Sequence, residues 1–404
     1  MKHRIVVLGA GYAGAFSATF LARQLHSDDF EITVVNAEPD FVERLRLHQL
    51  AAGQELRHRP LAKVFTGTDI RLRLARVTSV DAEHRTVAVA VAVADGDGDG
   101  DGIDRLEYDT LLYALGSTTA DHGVPGVDEH AYHVAARPAA LRLRARLDEL
   151  DEGRHVLVVG GNLTAIEAAT EFAESRPGLR VSLATSGELG GWLGPKARRH
   201  MLRAFDRFGI TVHEHTAIER VEEAVAIAAD GTAFTADATV WAAGFAVHPI
   251  AAASGLQVEP NGQITVDRQM RSVSHPNVYA AGDSVFVIGD NGLPYPMSCA
   301  SAGPTSKAAT AAIIGDLTGR KVAPTTFSYI GNHISLGRND GLFQLVDGDA
   351  RAKPGALRGR TAARVKSAII NTAAWAVSHP TFGKPNHKYR LAATRKHSPS
   401  RAAA

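Results

Sequence analysis

Short runs in which every residue is apolar recur along this chain, each closed by a glycine-rich turn and followed by a helix-like stretch. Ile5-Val6-Val7-Leu8 leads into Gly9-Ala10-Gly11-Tyr12-Ala13-Gly14. A run with no polar alternation predicts a strand buried on both faces. Residues 15–25 carry Phe16, Phe20, Leu21 and Leu25 at mixed three- and four-residue spacing, which predicts a helix, and Ile32–Val35 predicts the next strand. The same order returns about 150 residues later. Val156–Val159 predicts a strand, Gly160-Gly161-Asn162-Leu163-Thr164-Ala165 a turn, residues 166–175 a helix and Leu179–Leu183 a second strand. Strands alternating with helices predict parallel sheets of the doubly wound α/β kind.

Between and beyond these units the pattern changes. Thr86–Val93 and Leu106–Tyr108 alternate as strands of a hairpin around an Asp-Gly run at residues 95–102. Asp97, Asp99, Asp101 and Gly102 imitate the start of a calcium loop, but its twelfth position is Tyr108 rather than Glu, and starting at Asp95 places Leu106 there. A solvated hairpin tip is the better reading, and no metal site is expected. Helices are predicted over Lys307–Leu317 and from about Arg358 to Val377, and the last ten or so residues are expected to be disordered.

Composition narrows the chemistry. At 404 residues, two or three domains are expected. A formal net charge of +1 gives no reason to expect a nucleic-acid partner. Cys299 is the one cysteine, which excludes a redox disulfide within the chain and a cluster of iron and sulfur held by about four cysteines. The N-terminal apolar stretch is too short for a signal peptide, and no run of about 18 apolar residues predicts a membrane span. A cytoplasmic setting fits a reduced lone thiol.

The first glycine turn has the context that makes such a motif specific: a strand before and a helix after. Gly9 makes the tight turn, Gly11 lets the backbone approach a pyrophosphate, and Gly14 lets helix pack on strand. The phosphates then meet free N–H groups at a helix N-terminus. An acid is expected about 20 residues on to hold a ribose. The strand ends instead at Asn36, which can hydrogen-bond a ribose, with Glu38 as the alternative. Tyr108–Ser117 and Thr239–Gly244 are apolar strands ending in small-residue turns, and Asn277–Asp283 closes on Gly-Asp.

Together these segments resemble the flavoproteins built from two dinucleotide-binding domains. Asn36-Ala37-Glu38-Pro39-Asp40-Phe41-Val42-Glu43-Arg44-Leu45-Arg46-Leu47-His48 and Ile334–Gly341 are most similar to the type II NADH dehydrogenases, over residues 4–380. The resemblance implies two Rossmann-like dinucleotide-binding domains, the second inserted in the first, plus a C-terminal segment. FAD is expected in residues 1–120 and 240–325, NADH or NADPH in residues 121–239, and residues 326–404 form the C-terminal segment. The implied cofactor contacts are Gly9, Gly11, Tyr12, Ala13 and Gly14 at the first turn, and Asn36, Ala37 and Glu38 at the strand tip. They continue through Arg44, His48, Ala114, Gly116, Ala243, Gly244, Gly282, Asp283, Ser298, Cys299 and Ala300, with Gly160 and Asn162 at the second turn. Asp283 is implied to accept from the FAD ribityl or lie near the pyrophosphate; as a bare Asp it reads equally as a helix N-cap. Glu167 is implied to face the nicotinamide or the acceptor beside the flavin, as the one catalytic side chain; the plain alternative is a first-turn Glu favoured by the helix dipole.

The chain also departs from that pattern. Asn162 stands where a second glycine belongs, and a side chain there crowds the pyrophosphate; Asn tolerates positive φ, so the turn itself is expected to form. Thr185-Ser186 replace the acid expected at the strand end, while Glu188, Arg198 and Arg199 follow, so the choice between NADH and NADPH stays open. The family's quinone-site glutamines are absent from Pro296–Thr305. A small-molecule electron acceptor is expected, with quinone one candidate; a small organic substrate or an electron-carrier protein are the rivals, and a non-catalytic flavoprotein comes last. Cys299 reads first as a small buried hydrophobe. Arg358, Arg360, Arg364 and Lys366 ahead of Ile369, Ile370, Trp375 and Val377 suit either a helix lying at a membrane surface or one docked on the body or on a second subunit. Peripheral contact with the inner face of the membrane and a homodimer therefore stay open.

Overall fold

A computed structural model describes residues 1–90 and 102–392. The Asp-Gly run, save Gly102, and the expected disordered tail lie outside the described residues. Two five-stranded parallel sheets form the frame. In the first, His3–Leu8 lies between Phe30–Asn36 and Thr110–Tyr113, with Arg71–Leu74 and Val278–Ala280 at the edges. Ile5 pairs with Ile32 and Leu8 with Val35. Ile5, Val7 and Leu8 have no exposed surface, as their unbroken apolar run requires. In the second sheet His155–Val159 is central, flanked by Arg180–Ala184 and Ala238–Trp241, with Thr211–His213 and Ala131–Tyr132 outside them.

The first sheet takes its last strand, Val278–Ala280, from beyond the whole second sheet, so the second unit is inserted in the first. Ser117–Thr119 and Phe245–Val247 pair antiparallel where the chain leaves and re-enters the first unit. The hairpin is a three-stranded sheet of Arg76–Asp81, Thr86–Ala90 and Ile103–Glu107, whose last strand begins before the expected Leu106. Helices Tyr12–Gln24 and Leu163–Ser175 begin inside their glycine turns, three residues earlier than the apolar spacing alone suggests.

One finding corrects a C-terminal expectation, and a second decides between two that were open. The helix expected from Lys307 runs over Cys299–Thr318; Gly303 and Pro304 hid its first turns, and Pro304 lies inside it as the sixth residue, where its missing N–H leaves the Ala300 carbonyl without a helical partner. The last helix, Gly359–Ser378, docks on the body through Ala362, Lys366, Ile370, Ala374 and Val377, against the antiparallel sheet Gly331–Ser335, Gly341–Val346, Ala352–Arg358. Lys366 is therefore not part of a basic outer face but 4% exposed. Arg360, Arg364, Ile369 and Trp375 point outward. Among the described residues no helix is long and apolar enough to cross a membrane, and no metal-binding cluster occurs.

Candidate active site

The two glycine turns are built alike. Gly9 has φ +88°, and a Cβ on it would fall 2.4 Å from the Ala114 carbonyl oxygen. Gly160 has φ +135° and the same 2.4 Å clash with the Ala242 carbonyl. Ala114 and Ala242 end the strands beside each turn, so each needs a glycine facing it. A Cβ on Gly14 would sit 1.9 Å from the Gly9 carbonyl oxygen, which fixes the helix against the turn. Gly11 differs: nothing lies within 4 Å of its missing Cβ, and no side chain caps the helix it opens. That is an open cradle with free N–H groups, the feature a pyrophosphate needs.

Asn36 serves the cradle from behind. Its Oδ1 accepts from Ala10 N at 2.8 Å and its Nδ2 donates to the Glu38 carbonyl at 2.7 Å. Its amide is thereby committed to shaping the strand tip, and the Glu38 carboxylate beside it is partly exposed. Ala37 is exposed beside it. The Tyr12 hydroxyl is buried without a partner, its ring edge-on to Phe41, and burial pushes its ionisation upward so that it stays a donor.

A cavity of about 370 Å³ joins the two units. Arg44, His48, Asn162, Glu167, Gly244, Asp283, Ser298, Cys299 and Ala300 all line it, together with Leu45, Val134, Leu163, Trp241, Phe245 and Met297. Arg44 lies over the Phe245 ring at 5.2 Å and donates to the Ser117 carbonyl at 2.6 Å, while its Nη2 is buried and unpartnered. Asp283 accepts from the Ser117 hydroxyl at 2.7 Å, and Gln263 holds its carbonyl at 2.9 Å. Asp283 sits inside a short 3-10 turn whose N-cap is Ala281, so it is not a helix cap. Gly282, with φ +77°, brings that turn against Ala13 of the first helix, and Gly116 lies beside Arg44. Open space at Gly11, the orphaned Arg44 Nη2 and the orphaned Tyr12 hydroxyl together fit FAD.

At the cavity's centre is a pair that only the fold brings together. The Glu167 carboxylate binds the Lys366 ammonium and accepts from Ser335 N at 2.9 Å, with His48 Nδ1 at 3.9 Å from its other oxygen. Burial alone would push the Glu167 carboxyl up, but Lys366, His48 and the Ser335 N–H hold it below its usual range. Burial lowers His48 to about 4, so it is neutral at pH 7, and its Nε2 has no partner. His333, also lining the cavity, is lowered by burial and by Lys366. Lys366, His333, Ser117 and Gln263 were not among the sequence candidates. A lysine at a position of the last helix that also carries Ala362 and Ile370 was the one available signal. Cys299 is partly exposed to the cavity rather than a closed core residue, yet burial pushes its thiol up to about 12.

The second turn departs from the first at one residue. Asn162 has φ −88°, so its tolerance of positive φ is not used. Its side chain folds back to cap the helix and lies across the helix N-terminus. Thr185 is buried with its hydroxyl against Gly161, and Glu188 and Glu214 both bind Arg198, at 3.0 and 2.9 Å.

Known proteins resemble this chain in sequence and fold. The "NADH dehydrogenase-like protein YutJ" of Bacillus subtilis is 26% identical over 71% of this chain and 76% of its own length. A type II NADH:quinone oxidoreductase of Staphylococcus haemolyticus is 24% identical over 88% of this chain and 92% of its own. In fold, the chain resembles NDH2 of Plasmodium falciparum solved with NADH (TM-score 0.75, 16% identity, 96% of this chain and 100% of that one). It likewise resembles the sulfide:quinone oxidoreductase of Aquifex aeolicus (TM-score 0.74, 21% identity, 93% and 92%). Residues 3–306 match the family described as pyridine nucleotide-disulphide oxidoreductase. The chain belongs to that family, as an FAD- and NAD(P)H-dependent oxidoreductase that carries no second cysteine for a redox disulfide.

Proposed function

We propose that this oxidoreductase passes hydride from NADH or NADPH to FAD, and electrons onward to a small, neutral, quinone-like acceptor. FAD is assigned to residues 1–120 and 240–325 and the nicotinamide cofactor to residues 121–239; from the C-terminal segment, 326–404, Tyr329, Gly331, Asn332, His333 and Lys366 line the cavity. The observation that carries the reading is the buried Glu167–Lys366 pair, set in one largely apolar cavity with Asp283 and Cys299.

Bound FAD supplies the hydride chemistry that no side chain here can perform. The protein supplies position and field. Gly11 and the helix it opens hold the pyrophosphate, Glu38 the ribose, and Arg44, Tyr12 and Asp283 the rest of the cofactor. Apolar walls exclude water and select a neutral, planar acceptor. Lys366 offers ammonium donors where negative charge grows on an acceptor gaining electrons, and Glu167 keeps that ammonium in place. No general base is required, and the high thiol pKa of Cys299 leaves it out of the chemistry. The type II NADH:quinone oxidoreductases among its relatives support quinone as the acceptor. The outward Ile369, Trp375 and Phe382 support peripheral contact with a membrane, where a quinone would be met.

A second reading, oxidation of a small organic substrate, rests on Asn162 and on the absence of glutamine from residues 296–305. Anaerobic stopped-flow absorbance separates the two. The proposal expects rapid flavin bleaching by NADH or NADPH, then rapid reoxidation by a short-chain quinone. No bleaching with either nucleotide overturns it.

A further inference from the structure

We infer that Asn162 is a built-in competitor of the nucleotide pyrophosphate and sets how tightly the second unit holds NAD(P)H; the inference rests on the assignment of that cofactor to residues 121–239. The two turns form a natural comparison. Gly11 has φ −73° and ψ −166°, and Asn162 has φ −88° and ψ −178°, so the backbone is nearly the same. Only the side chain differs. At Gly11 the helix N-terminus is uncapped and the space beyond it is empty. At Asn162, Oδ1 accepts from Ala165 N at 3.1 Å, and Nδ2 donates to the Ala242 carbonyl at 2.9 Å.

The two bonds lock the amide across the end of the helix. Ala165 N is one of the first-turn N–H groups that have no partner within the helix and would otherwise face the phosphates. Asn162 also lines the central cavity, on the side of the second turn. A nucleotide seated as in the first unit must therefore swing the Asn162 amide away and break its cap. A side-chain cap of this type is worth about 1 kcal/mol, which corresponds to about five-fold in a dissociation constant. The bond to the Ala242 carbonyl adds to that penalty. The outcome is a site that binds its nucleotide less tightly than an all-glycine turn and releases it sooner.

Isothermal titration of the FAD-loaded protein with NAD⁺ and NADP⁺ tests this without turnover. Asn162→Gly is expected to bind the preferred nucleotide about five-fold more tightly while unfolding at lower temperature, because its helix loses the cap. Asn162→Asp keeps the Ala165 N–H cap but loses the donor to the Ala242 carbonyl and puts a carboxylate beside the phosphates, so it is expected to unfold at somewhat lower temperature than wild type and bind at least about ten-fold more weakly. An Asn162→Gly protein with unchanged or weaker affinity overturns the inference and leaves nucleotide binding by the second unit intact. If Asn162→Gly does not fold, an Asn162→Asp protein that binds as tightly as wild type overturns it equally. Absence of binding to wild type and both variants overturns the inference together with the assignment it rests on.

Discussion

Replacing Lys366 by methionine isolates the energetics of the buried pair. Glu167 is 8% exposed and Lys366 4%. Methionine fills similar volume but leaves the carboxylate with only the Ser335 N–H and a neutral His48. Removing one partner of a buried pair costs about 3–5 kcal/mol, because the remaining charge stays desolvated. Lys366→Met is therefore expected to lose about 3 kcal/mol at pH 7.5 in urea unfolding followed by tryptophan fluorescence. Glu167→Gln leaves the ammonium stranded and is expected to lose a similar amount. The double variant buries no net charge and is expected within about 1 kcal/mol of wild type, a coupling far beyond additivity. The pH dependence gives an independent sign. Without Lys366, burial raises the Glu167 carboxyl above its unfolded value, so the folded state takes up a proton as pH falls. The deficit of Lys366→Met must then narrow between pH 7.5 and pH 5. A single variant within about 1 kcal/mol of wild type, or a deficit that widens on acidification, refutes the account.

Three other outcomes follow from the same geometry. His48 falls from 6.5 to about 4 in the folded protein; the unfolded chain therefore binds more protons in that window, stability drops as pH falls through it by roughly 3 kcal/mol, and His48→Asn should flatten the pH profile of the urea midpoint. Gly9→Ala and Gly14→Ala drive a Cβ into backbone 2.4 and 1.9 Å away and should yield unstable protein; Gly11→Ala meets nothing and should fold normally but retain less flavin, read from visible absorbance after gel filtration. Cys299, with its thiol pushed up to about 12, should react with iodoacetamide at pH 7.5 far more slowly than an exposed thiol, and Cys299→Ser should leave the rate of flavin bleaching by nucleotide within about two-fold of wild type.

What could be read in advance was local. Strand, glycine turn and helix are encoded within about 15 consecutive residues, so both units were legible; the insertion of one in the other and most of the cavity wall came from the family resemblance. Asn36 and Asn162 show the limit of that code. Each stood at a position where a ligand contact was expected, and each spends its amide on its own backbone, a choice decided by where Ala10, Glu38, Ala165 and Ala242 come to lie. Lys366 was hidden for another reason. Its partner is 199 positions away, and three arginines nearby made it look like part of a solvated face. The early start of the helix at Cys299 was masked by Gly303 and Pro304, two helix-disfavouring residues that the helix nevertheless carries inside it.

The placement of Lys366 also orders the protein's manufacture. Everything proposed to hold FAD and nucleotide lies before residue 301, and strands of both parallel sheets are available to pair once residue 280 has been made. The ammonium at the cavity's centre comes from the last helix. A nascent chain still lacking that helix is thus expected to be able to acquire a cofactor before the Glu167 carboxylate has its ammonium partner. Docking of the last helix, rather than cofactor uptake, is then the step expected to give Glu167 its counter-charge.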